Sequence, residues 1–125
     1  VKVLDTSVAI DHLRGHAPAV RLLTALVAED VQLIASEVVR FELLAGVRTQ
    51  EMPALEHFFN AVEWVPVSEQ LSRRAGELAR SLRRSHSGID DADYLIAATA
   101  LLLDAELLTT NVRHFPMLPD LRPAY

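Results

Sequence analysis

Short apolar runs alternate with helix-period segments along this whole chain, and that alternation constrains the fold more than any other feature. Residues 1–4 read as a short buried strand and VQLIA at 31–35 as a second. EWVPV at 63–67 reads as a strand or edge segment, and ELLTT at 106–110 as another strand. Between them the spacing predicts helices. SVAIDHLRG stops at Gly15, AVRLLTALVA at 19–28 follows Pro18, and EVVRFELLAGV is capped by Ser36. A further helical stretch at 54–62 follows Pro53. From Ser68 to Arg84, Leu71, Ala75, Leu78, Ala79 and Leu82 recur at helical spacing. The loop SHSGIDD leads into a long helix near 90–103, and the Pro-rich tail MLPDLRPAY holds at most one short strand. Strands that alternate with helices pair in parallel through crossover helices, so the expected class is an α/β sandwich. With no internal repeat, low-complexity tract or long linker, residues 1–125 are expected to form a single domain.

Composition narrows the chemistry. Half the residues are apolar and 23% are charged, as in a folded, soluble protein. The absence of cysteine removes disulfides, thiolate zinc sites and a cysteine nucleophile. The opening VKVLD meets an acid too early for a secretory signal core, and LIAATALLL at 95–103 is far below the ~20 residues of a spanning helix. A reducing cytoplasm is the expected compartment, with no membrane partner. The net charge of −5 argues against a general nucleic-acid coat protein, though not against a nuclease whose acids hold cations. Lys2 is the only lysine, and five of the eleven arginines (Arg73, Arg74, Arg80, Arg83 and Arg84) crowd into one segment. Arginine suits bidentate phosphate contacts, but a solvated helix face explains the cluster equally well.

Three carboxylates stand at the ends of apolar segments far apart in sequence: Asp5 after the first strand, Glu42 inside VVRFELLAGV, and Asp93 opening DYLIAATALLL. Such a distribution predicts one acidic pocket assembled by folding, with oxygen ligands for a hard divalent cation. Asp5 sits where open α/β sheets place their sites, beyond a strand's carboxyl end, and is equally readable as a helix cap. Glu42 shares a helical face with Val38, Val39, Ala45 and Gly46. An unpaired carboxylate buried there costs on the order of several kcal/mol, so it needs a cation or an arginine such as Arg40. Asp93 shares its face with Ile96, Ala97 and Ala100. Asp90, a turn earlier, lies on the same side; Asp91 should face elsewhere, and both are candidate helpers. All three also offset the macrodipole at a helix start.

Asn111, after the last strand, can offer an amide oxygen to a metal or orient its water, or simply serve a turn. Thr6 and Ser7 place hydroxyls beside Asp5 and are equally caps. His12, His16, His57, His86 and His114 show no paired spacing, which argues against zinc; His114 is nearest the pocket and is expected to pack by Phe115. No glycine-rich phosphate loop or Walker lysine is present.

With these residues assembled, the chain resembles the PIN-domain ribonucleases, especially the VapC-type toxins of bacterial toxin–antitoxin pairs. LDTSVAIDHLRG at 4–15, FELLAG at 41–46, DYLIAATAL at 93–101 and LLTTNVRHF at 107–115 carry the likeness, in the family's order and across nearly the whole chain. The resemblance implies a three-layer α/β/α sandwich with a central, mostly parallel sheet, a homodimer and a cognate VapB-type antitoxin. It assigns Asp5, Glu42 and Asp93 as the catalytic triad holding Mg²⁺ or Mn²⁺. It further implies hydrolysis of structured RNA, tRNA or rRNA, to a 5′-phosphate and a 3′-hydroxyl, and so inhibition of translation. The position after TT is often a fourth acid in this family and here is Asn111. Arg14 and Arg113 flank the motifs and are candidate RNA contacts.

Other readings are open at this point. A non-catalytic PIN-like binding module would carry the same fold. A haloacid-dehalogenase-type phosphatase wants a second Asp where Ser7 stands, and a receiver domain wants a lysine after its last main strand, where the chain reads TTNVRHF.

Overall fold

A computed structural model describes all residues, 1–125. Four short strands form one sheet: β1 (Lys2–Leu4), β2 (Leu33–Ser36), β3 (Glu63–Val65) and β4 (Glu106–Leu108). Six helices flank it: α1 (Thr6–Leu13), α2 (Ala17–Ala28), α3 (Glu37–Gly46), α4 (Met52–Asn60), α5 (Glu69–Leu82) and α6 (Asp91–Leu103). Every strand pair is parallel and the order is β3-β2-β1-β4. The chain therefore winds outward from β1 to β3 and then returns to add β4 on β1's other side. The α/β sandwich is the one expected from the alternation.

Local chemistry sets most element ends. Ser36 closes β2 and caps α3, accepting from Val38 N at 3.2 Å. Ser68 caps α5 through Leu71 N at 3.1 Å. Asp90 and Asp93 form a reciprocal box at the start of α6, each carboxylate accepting the other's backbone N–H at 3.1 Å. Helices α2 and α4 begin before their prolines rather than after them. Pro18 and Pro53 occupy the first turn, where the missing N–H has no intrahelical partner to lose. The second and fourth strands are shorter than expected, since Val31, Gln32, Thr109 and Thr110 lie outside the ladder. The tail forms no strand; Ala124 N instead donates to Thr109 O at 2.8 Å.

The core gathers on β1, whose Val3 and Leu4 are fully buried, with Ile34, Val39, Leu55, Ile96 and Leu107 around them. A smaller cluster joins Leu71, Ala75 and Ala79 of α5 to Tyr94 and Ala98 of α6. No helix is long and apolar enough to cross a membrane.

Candidate active site

The sheet reverses its direction of growth at β1 and β4, and the crevice beyond their carboxyl ends is where such folds place chemistry. Asp5 occupies that point. It is 3% exposed and serves as both N-cap and site residue, its Oδ1 accepting from Thr6 N at 2.9 Å. Its Oδ2 accepts from Ser7 Oγ at 2.8 Å and from Thr109 Oγ1 at 2.6 Å. Thr109 is fully buried at the end of β4 and in turn accepts from Asn111 N at 2.9 Å. Asp5 is thus held by three donors from two strand ends. Ser7, the position where a phosphatase would want its second Asp, is one of those donors.

Glu42 reaches the same place from α3, its Oε1 accepting from Thr6 Oγ1 at 2.6 Å. Neither an apolar stripe nor an arginine surrounds it as expected. Ala45 and Gly46 are exposed, Val39 and Leu43 form the buried seam, and Glu42 lies half-buried on its flank. Arg40 turns the other way, pairing with Glu37 at 2.6 Å and stacking over Phe59 and Trp64, 4.8 and 4.3 Å from their ring centres. The arginine-pair explanation of Glu42 falls, because these two residues point to different sides of α3.

Asp93 is 7% exposed at the start of α6, beside buried Ile96, Ala97 and Ala100. Its Oδ2 lies 3.3 Å from His114 Nδ1, so His114 faces the carboxylate instead of simply packing by Phe115. Asp90 lines the same cleft, while Asp91 is outside it: one residue further round the helix, it is exposed and pairs with Arg83. Asp91 is therefore not brought together with the other acids. Arg14 and Arg113 are exposed and do not line the cleft either: Arg14 closes the C-terminal end of α1, and Arg113 sits on the outer side of the single turn Val112–His114, between cleft-lining Asn111 and His114.

The cleft, about 320 Å³, is lined by Asp5, Glu42, Asp90, Asp93 and Asp11, with Thr6, Ser7, Ile10, Thr110, Asn111 and His114 between them. No lysine or arginine lines it. Burial pushes the Asp93 carboxyl up to about 6, with Asp90 and Asp5 adding repulsion while the Asp90 amide and His114 oppose the shift. Glu42 is also pushed up, first by burial and then by Asp90 and Asp5, against the Thr6 hydroxyl that favours its ionised form. Uncompensated carboxylates in this number are a donor set for a hard divalent ion, which takes oxygen ligands. The fit lies in donor chemistry: the acids face one cleft, yet no three of them, with or without histidine, close around a common point.

Thr109 and Asp11 were not singled out by the sequence reading, and His114, placed nearest the pocket, was not expected to meet Asp93. Thr109 was concealed as half of an ordinary strand-end TT. Only the pairing of β4 beside β1 shows that it serves Asp5.

A PIN-domain family model matches residues 2–119, and the chain belongs to the PIN-domain family. The fold agrees with that membership. Two relatives then place it among VapC-type members. The chain is 60% identical over 125 residues to Ribonuclease VapC19 of Mycobacterium tuberculosis, covering 100% of both chains. It is 41% identical over 123 residues to Ribonuclease VapC10 of the same organism, covering 98% of this chain and 92% of that one. Among solved structures it matches a chain of VapBC2 from Rickettsia felis, which was crystallised bound to a DNA fragment from their promoter. That match has a TM-score of 0.82 at 26% identity, covering 96% of this chain and 94% of that chain.

Proposed function

We propose that this protein is a divalent-metal-dependent endoribonuclease, the toxin of a VapBC-type toxin–antitoxin pair. The observation that carries this reading is the convergence of Asp5, Glu42 and Asp93 on one cleft free of lysine and arginine. Its relatives named as ribonucleases support it.

Asp5, Glu42 and Asp93 would hold Mg²⁺ or Mn²⁺, with Asp90 and Asn111 beside them. A cation held there would supply charge neutralisation at the scissile phosphate and a more acidic bound water. The chain's own residues prepare the site. Ser7 and Thr109 lock Asp5 in one orientation, and Thr6 aims Glu42. His114 faces Asp93 across 3.3 Å in the same cleft. Prepaid orientation of this kind is what a positioned carboxylate set contributes to catalysis. The substrate is structured RNA, tRNA or rRNA, cut to a 5′-phosphate and a 3′-hydroxyl, with loss of translation as the consequence.

The partner is a cognate VapB-type antitoxin, and the toxin acts as a homodimer. The VapBC2 complex supports the antitoxin, as do Phe41 and Leu44, 68% and 41% exposed on the helix that carries Glu42. An antitoxin that inserts a basic side chain among the acids would block the site.

The test is cleavage of pooled tRNA and rRNA by purified chain in Mg²⁺, Mn²⁺ or EDTA, with Asp5→Ala as control. Discrete fragments that require metal and vanish in the variant are expected. Cleavage that survives Asp5→Ala would overturn this mechanism, and none in any metal would favour a binding module.

A further inference from the structure

The arginine cluster has no role in the cleft. Helix α5 turns Leu71, Ala75 and Ala79 into its packing against α6 and leaves Arg73, Arg74, Arg80, Arg83 and Arg84 exposed. Arg73 and Arg80 stand about two helical turns, roughly 10 Å, apart on the side opposite that packing. Arg84 follows one turn later, in the turn that closes the helix. Between residues 72 and 89 the formal charge is +4, from five arginines against Glu77, in a chain of net charge −5.

Intramolecular pairing does not account for this density. Arg73 pairs with Glu69 at 2.9 Å and Arg74 with Glu77 at 3.6 Å, both exposed. Arg80 and Arg84 pair with no carboxylate. These two unpaired like charges at the end of the helix gain nothing from the chain itself. Gly76 lies on the same exposed side, in mid-helix. A Cβ there would meet nothing within 4 Å, so no packing inside the chain requires a glycine at a mid-helix position where alanine is favoured. Both features become intelligible if an anionic chain approaches this surface closely.

The surface also leads to the site. Arg83 pairs with Asp91 and lies over the Tyr94 ring, tying the end of α5 to the first turn of α6. Asp90, the cap of that turn, lines the cleft. We propose that the exposed face of α5, through Arg73, Arg80 and Arg84, binds the phosphate backbone of the RNA whose scissile bond enters the cleft. The inference rests on the ribonuclease reading. The cleft repels phosphates wherever its acids are uncompensated, so a cationic surface beside it must supply the ground-state grip. Planar guanidinium forks suit that contact.

The test is binding of bulk tRNA and of a short single-stranded oligoribonucleotide, measured in EDTA across a salt series so that cleavage does not intervene. In the R73Q/R80Q/R84Q variant, affinity should fall roughly tenfold or more and the slope of log K against log salt by about 2. The R73K/R80K/R84K variant, which keeps the charge, should recover most of the binding. Molar mass in solution should be the same for all three proteins. Unchanged affinity and slope in the Gln variant would overturn the proposal while leaving the ribonuclease reading intact. Loss of binding accompanied by a changed mass would overturn it in favour of a protein interface between copies. A wild-type chain that neither binds nor cuts RNA would sink both.

Discussion

Thr109 at the end of β4 donates its hydroxyl to Asp5 Oδ2 across 2.6 Å, joining residues 104 positions apart in the chain. Thr109 is fully buried and Asp5 almost so, which makes the bond a charge-assisted one shielded from water. It fixes the carboxylate at the sheet's reversal point, and it also ties β4's exit to β1's exit.

Thr109→Val keeps the shape and removes that donor, leaving a buried carboxylate short of one partner. Urea unfolding should show a loss of about 2 kcal/mol, the scale of a hydrogen bond to a charged group. RNA cleavage should fall as well, because Asp5 gains freedom to rotate. Full cleavage in the variant would show that Ser7 and the Thr6 amide suffice to hold Asp5.

The raised pKa of Asp93 makes its charge a cost to folding. Its native carboxyl titrates near 6 while the unfolded one keeps its ordinary value near 3.8, so the native state binds more protons between those values. Stability contributed by Asp93 is therefore lost as pH rises through that window. In EDTA, Asp93→Asn should be more stable than wild type at pH 7 and no more stable below pH 4, while its cleavage activity is abolished. Equal stability at both pH values would contradict the burial-driven shift.

A cation that binds only the folded chain must raise its melting temperature. At a Mg²⁺ or Mn²⁺ concentration one hundred times Kd, the gain should be about 2.7 kcal/mol. Asp5→Asn, Glu42→Gln and Asp93→Asn should each reduce that gain, and Asp91→Asn should leave it intact, since Asp91 faces Arg83 outside the cleft. Equal shifts in every variant would place the ion elsewhere.

Arg40 should matter to stability alone. Its guanidinium stacks on Phe59 and Trp64 and pairs with Glu37, so Arg40→Ala should cost about 1 kcal/mol. The rate at saturating RNA should not change, as Glu42 is held by Thr6. A large fall in that rate would restore Arg40 as Glu42's partner.

Much of the architecture was legible because local rules govern it. Ser36 and Ser68 cap where a hydroxyl before an apolar run should cap, and the Asp90–Asp93 box sits at the expected helix start. The proline boundaries moved because a proline fits a first helical turn as well as the residue before it. Glu42's environment was misjudged for a different reason. A 100° wheel tells which residues share a side, but not where the protein's surface cuts across that side, and here it leaves Ala45 and Gly46 exposed.

By itself, the sequence determined that strands would alternate with helices and pair in parallel. It also determined that Asp5 and Asp93 would stand at segment ends and Glu42 within an apolar helix, where burying them without a partner is costly. Those are consequences of periodicity and of solvation, which act over a turn of helix or a length of strand. Only the tertiary structure decided that Thr109 and Ser7 clamp Asp5, that His114 meets Asp93, and that Arg40 and Asp91 turn away. Such contacts depend on strand order: β4 lies against β1 because the chain returns to the sheet's other side, and no local pattern encodes which distant strand end becomes a neighbour.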